Sequence, residues 1–227
     1  MIRRKAWQSD DGVSLPELLV TMFLTGIVGL IVVSFFVAFT NTFNEDRAAS
    51  DSTTTAALGM NDLTRIIRSG TEIPRQNAVL NDPVFTLASN EEMVIHAYVD
   101  TDSDTPAPIR IRFFINADNE LVEERFLATQ DVAGYWSFAS TSQGERVIAR
   151  QLPERQPGQP WLFTYLTAAG ATFTIPEGAS LSVDQRRSVA AVRITLTVQA
   201  DTTAQAEPVT LRNTVGIPNL GVARVGL

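Results

Sequence analysis

The chain has no cysteine, a single histidine and a single lysine, Lys5. Without cysteine there is no disulfide, no thiol nucleophile and no cysteine-held metal, and the redox compartment leaves no mark on the sequence. One histidine and no cysteine leave few ways to build a protein zinc site. That histidine, His96, lies inside the apolar stretch "MVIHAYV", where a structural role is expected rather than a catalytic one. A glycine-rich phosphate loop and a G-x-S-x-G elbow are both missing. The carboxylate pairs Glu91–Glu92 and Glu123–Glu124 fall in strand-like segments, where neighbours point to opposite faces, so they read as solvated edges and not as acid/base pairs. No enzyme is expected. Basic charge is also scarce. With 18 Lys and Arg against 25 Asp and Glu, the net charge is −7, which argues against direct nucleic-acid binding. Because Lys5 is the only lysine, loss of the N-terminal segment would leave no side chain for isopeptide cross-linking.

What the chain does have is a long apolar run. Val13 to Phe39 is 27 residues with Glu17 as its one charge, and a membrane-spanning helix needs about 20. Arg3, Arg4 and Lys5 precede the run, while Glu45, Asp46 and Asp51 follow it. The positive-inside rule then predicts a single pass through the cytoplasmic membrane, with the N-terminus in the cytoplasm and the bulk of the chain outside. An ordinary signal peptide would have an apolar core of about 7–15 residues; this run is longer, and its end offers only a weak cleavage site near Ala38. Glu17 poses the question, since a charge at the centre of a spanning helix costs about 2.5–3.5 kcal/mol. One answer is that it sits at the interface, favoured by the helix macrodipole.

Past the run, Ala49, Ala56, Met60, Leu63 and Ile67 fall on one helical face, which predicts an amphipathic continuation over 40–70 that stops near Gly70 and Pro74. From about Val84 the period changes to two. Strands are expected at 92–99, 109–116, 120–128, 161–166, 188–199 and 207–217, with "NADNE" as a hairpin turn. Residues 129–146 read as polar and irregular, and 152–160 as a Pro/Gly-rich loop. The fold class expected is α+β, with one long N-terminal helix packed on an antiparallel β-rich head at 71–227. Asp100, Asp102 and Asp104 reproduce the opening of a calcium loop, but Thr105 stands where its turn glycine belongs and Ile111 where its bidentate glutamate belongs. An acidic hairpin tip accounts for them without a metal, and calcium is the only cofactor this sequence suggests.

The junction "GVSLPELLVTM" at 12–22 resembles the class III signal of type IV pilins and pseudopilins, in which a glycine precedes an apolar helix whose fifth residue is glutamate. The resemblance implies that residues 1–12 are a leader, that a prepilin peptidase cuts between Gly12 and Val13, and that Val13 becomes an N-methylated terminus. It identifies Glu17 with the family's conserved glutamate, which would pair with the new amine of a neighbouring subunit. A buried charge is tolerable when paired, and breaking such a pair costs about 3–5 kcal/mol. Val13 departs from the usual aromatic first residue. Over the rest of the chain, "LTRIIRSG", "LFTYLTAAG" and "VAAVRITLTV" look like the J-type minor pseudopilins and W-type minor pilins. That likeness implies a minor subunit helping to start or cap a filament for secretion, adhesion and motility, or DNA uptake. Its partners would be other pilin or pseudopilin subunits, the peptidase and an inner-membrane assembly platform. The rival from another class is a signal-anchored extracytoplasmic binding module that does not assemble.

Overall fold

A computed structural model describes residues 12–99, 106–199 and 207–218. The chain divides into two compact units, Met1–Asp46 and Arg47–Leu227. Helix α1, Leu15–Arg68, is 54 residues long. It begins where the Ser14 carbonyl accepts the Leu18 N–H at 3.1 Å, and Pro16 falls in the first turn, where its missing N–H costs no helical bond. The threonines do not break it. Thr53 and Thr54 turn their hydroxyls onto the Ala49 and Ser50 carbonyls at 2.8 and 3.0 Å, which removes their competition with the backbone.

The second unit is α+β. Nine strands follow the helix: β1 (Phe85–Ala88), β2 (Met93–Ala97), β3 (Ile109–Ile115), β4 (Leu121–Gln130), β5 (Trp136–Phe138), β6 (Glu145–Ala149), β7 (Phe163–Thr167), β8 (Val189–Val198) and β9 (Val209–Gly216). A short helix α2, Val183–Arg187, precedes β8, opened by a capping box from Ser182 and Gln185. All pairings are antiparallel and form two sheets. The larger runs β1-β2-β3-β4-β5 with β6 also on β4, and the smaller runs β7-β8-β9. The segment at 129–146 is more ordered than its polar composition suggests. Here β4 extends to Gln130 and turns back into β5, with Ala128 opposite Phe138, and β6 starts at Glu145. Strand β1 and helix α2 are likewise too short to leave a periodic trace.

The helix face predicted from spacing is the one that packs. Ala56, Leu63, Ile66 and Ile67 are fully buried and Met60 nearly so, in one core with Met93, Ile95, Ile111 and Phe113 of the larger sheet and Val192, Ile194 and Leu196 of the smaller. Gly59 lies where the two sheets meet the helix: a Cβ there would be 3.1 Å from Leu196 Cδ2 on β8 and 3.4 Å from Ala149 Cβ on β6. Gly70 ends the helix through close approach, since a Cβ would stand 2.9 Å from Val84 Cγ1. Tyr165 crosses between the sheets, donating its hydroxyl to the Ser89 carbonyl at 3.0 Å with its ring edge-on to Phe85.

Glu123 corrects the sequence reading. Its side chain is fully buried, not on a solvated edge. It accepts from Arg125 and Arg146, and Arg146 also reaches Asp62 of α1 at 3.0 Å. The two arginines keep a third to a half of their side-chain surface in water, so they deliver charge to a buried acid without being buried themselves. Glu92 and Glu124 do lie on the outer face, where both hold Arg112, at 2.6 and 3.1 Å. We expect Glu123→Gln to cost about 2–3 kcal/mol, the range for buried hydrogen bonds to charged groups, read as a lower urea midpoint. Glu124→Gln, on the opposite face of the same strand, where Arg112 keeps its bond to Glu92, should cost less, about 1 kcal/mol.

Candidate functional site

The N-terminal part of α1 carries the residues singled out by the sequence. Gly12 and Val13 lie just before the helix, and Glu17 is the acidic residue of its first turn. Large apolar side chains from Leu15 to Phe43 are exposed all round, with Leu15 at 79% and Phe35 at 72%. The most apolar window has a mean hydropathy of 2.6 and none of it is covered by protein. Such a helix is long and apolar enough to cross a membrane once. Its few polar side chains are adapted to hydrocarbon: Thr21 and Thr25 donate to the carbonyls of Leu18 and Thr21 at 2.9 and 2.7 Å, and Thr40 to Phe36 at 2.8 Å. These threonine hydroxyl protons are satisfied within the helix, as spanning segments require. Glu17 is the exception, with no hydrogen bond or ion pair among the described residues.

The basic residues Arg3, Arg4 and Lys5, on which the orientation rests, lie outside the described residues. So do Asp100, Asp102 and Asp104, the candidate calcium ligands. Among the described residues no three His, Asp or Glu side chains gather where they could hold a metal. Gly12, Val13 and Glu17 are brought together by sequence adjacency alone, which is why a linear motif could find them.

The head carries polar features that the sequence did not announce. A cleft of about 810 Å3 runs between the loop from Leu152 to Pro160 and the outer face of β8 and β9. Thr195, Thr197, Thr210 and Arg212 lie on one wall, and Glu154 and Arg155 on the other. Arg155 is stacked on Trp161, 3.4 Å from its ring centroid. On the outer face of the larger sheet the β4–β5 hairpin folds over His96. Phe138 stacks on the imidazole at 4.6 Å, and Arg110 donates to the Ala139 carbonyl at 2.8 Å. His96 is 2% exposed, with a hydrogen bond to the Pro83 backbone and no partner for Nδ1 among the described residues. Burial is the main cause that lowers its pKa to about 4; Arg110 adds to the depression and Asp82 opposes it. This is a packed neutral histidine and not a base facing substrate. No protein-family model matches the chain, and no curated protein matches it.

The pH dependence of stability follows with a definite sign. Between about pH 6.5 and pH 4 the unfolded chain takes up a proton on His96 that the folded chain does not. Stability from this residue is therefore complete above pH 6.5 and declines as pH falls, by about 3 kcal/mol once pH 4 is reached. We expect His96→Phe, which keeps the ring stack, to flatten the fall in urea midpoint between pH 6.5 and pH 5. Equal slopes for the two proteins would show that His96 is not the group responsible.

Proposed function

We propose that the protein is a minor pilin or pseudopilin: a structural subunit, anchored by α1, that helps start or cap assembly of a type IV pilus or type II secretion pseudopilus. The observation that carries this reading is Glu17. It is the one charge in the apolar run Val13–Phe39, whose threonine hydroxyls bond internally, it has no partner among the described residues, and it stands five positions after Gly12. Cutting after Gly12 turns Val13 into a positively charged terminus near the depth of that carboxylate. Neither charge is well placed in lipid alone. A cation from one subunit beside the carboxylate of the next satisfies both, so filament assembly relieves a cost that the isolated subunit bears.

The work of the protein is then packing rather than chemistry. The apolar surface of Val13–Phe39 supplies a lateral helix interface, and the head supplies contacts between minor subunits. The peptidase and an inner-membrane assembly platform are the other partners, and the outer segment faces away from the cytoplasm. Secretion, adhesion with motility, and DNA uptake all use such subunits.

The mature N-terminus decides between this reading and a signal-anchored module that never assembles. Peptide mass spectrometry is expected to find methylated Val13 as the first residue; an intact Met1, or a start beyond Ala38, contradicts the proposal. Gly12→Ala should leave the leader attached. Glu17→Ala should still insert and be cut, yet its recovery in sheared filaments should drop about tenfold or more, in line with the loss of a paired buried charge. Normal recovery would remove the charge-pair mechanism.

A further inference from the structure

Strand β9 ends the smaller sheet, and its outer side has no partner strand among the described residues. The register fixes which backbone groups are free. Ile217 N–H donates to the Ala190 carbonyl at 3.1 Å, and antiparallel pairs alternate between bonded and non-bonded. Along the ladder, Val215, Asn213, Leu211 and Val209 therefore exchange bonds with β8, opposite Val192, Ile194, Leu196 and Val198. Thr195 N–H, out of phase with that set, donates instead to Leu162 on the β7 side at 2.9 Å, as the same alternation requires. The N–H and C=O groups of Thr210, Arg212 and Thr214 are left pointing outward along the edge.

The edges at β1 and β7 are covered in part by loop backbone, and no described segment covers β9 in that way. Ala88 at the end of β1 accepts from Leu181 N–H, and β7 is capped by its own loop, through Ala171 and Phe173. The β9 pairing runs eight residues without a bulge, and the strand holds no proline and one charge. Its two faces differ. Val209 and Leu211 are half-buried toward the helix side, where Asn213 bonds Thr64 of α1 at 3.0 Å. On the other face Thr210, Arg212 and Thr214 are exposed. Among the described residues neither Arg212 nor Arg193, its neighbour on β8, has an ion-pair partner, and Arg193 reaches the Thr214 hydroxyl at 3.5 Å.

We infer that the β9 edge is a strand-acceptor site for an extended segment of another protein, with apolar residues on the helix side and an acidic residue opposite Arg212. Backbone pairing to Thr210, Arg212 and Thr214 supplies the affinity, and the alternate side chains supply the choice of partner. A second copy of β9 is a poorer occupant. Paired with Arg212 at the two-fold centre it sets Arg212 against Arg212, and like charges directly opposite destabilise a sheet; paired with Asn213 at the centre it sets each Arg212 against Thr214, with no acid to meet it.

The test uses the full chain in lipid nanodiscs and a capped seven-residue peptide of alternating valine and threonine with one central glutamate. Residue-resolved hydrogen exchange should show the Thr210, Arg212 and Thr214 amides open in the free protein and at least tenfold slower with the peptide. Its lysine counterpart should give no protection, and Arg212→Glu should exchange the two preferences. Thr214→Pro and Thr210→Pro each remove an outward N–H and spare the ladder to β8, so each should keep the wild-type melting temperature and lose the response. Edge amides already protected in the monomer, no protection by millimolar peptide, or equal protection by both peptides would overturn the inference. So would protection that appears without peptide as a dimer forms, and so would unfolding of both proline variants, which contradicts the register.

Discussion

Both sheets depend on one stripe of α1, where Ala56, Gly59, Leu63, Ile66 and Ile67 form the floor on which they close. No strand ladder joins the sheets, so the helix and a few crossing bonds must do it. The small residues matter most. At Gly59 the approach of β6 and β8 is close enough that a methyl group would press on the Leu196 side chain, which would have to give by a few tenths of an ångström. The crossing bonds follow from that closeness: Tyr165 to Ser89, Asn90 Nδ2 to the Ile175 carbonyl at 3.0 Å, and Gln199 N–H to the Gln151 carbonyl at 2.9 Å. Close packing makes such bonds short and shields them from water. They in turn fix the angle at which the sheets meet.

The parts of this fold that were legible in the sequence are those with enough periods to count. The helix shows its apolar run and then a 7, 4, 3, 4 spacing, and β8 shows alternation from Val192 to Val198. Residues 129–146 were illegible for the opposite reason. Strand β5 has three residues, Trp136–Phe138, and three residues cannot display a period. Its register depends on where β4 twists out of the larger sheet, which is a property of the assembled sheet. Glu123 shows a different limit. Alternation placed it correctly on the face opposite Glu124, but sequence could not say which face was wet. The answer depends on Arg125, two positions on, and Arg146, on a strand far along the chain.

The two functional features divide in the same way. Gly12, Val13 and Glu17, on which the proposed function rests, lie within six residues at one end of a helix, so a linear motif could find them. The β9 edge has no linear signal at all. "VTLRNTVG" would be an unremarkable strand in the middle of a sheet, and only its position beyond β8, with no partner among the described residues, turns its alternate backbone groups into donors and acceptors. That position is set by the order β7-β8-β9 and by the phase that the Ile217–Ala190 bond imposes.

Glu17 and Glu123 together define what the chain does with a carboxylate away from water. For Glu123 the fold supplies one arginine from its own strand and one from the neighbouring β6, and the arginines stay partly wet, so the desolvation cost falls on one ion instead of three. For Glu17 the described part of the same chain supplies no partner. A helix that satisfies every threonine hydroxyl between residues 21 and 42 yet leaves its one carboxylate open is not simply poor in polar groups. An intramolecular arginine would have removed the cost and with it any dependence on a neighbour. Leaving the site open makes the acid's environment depend on what comes alongside it, which is the condition on which the proposed function rests.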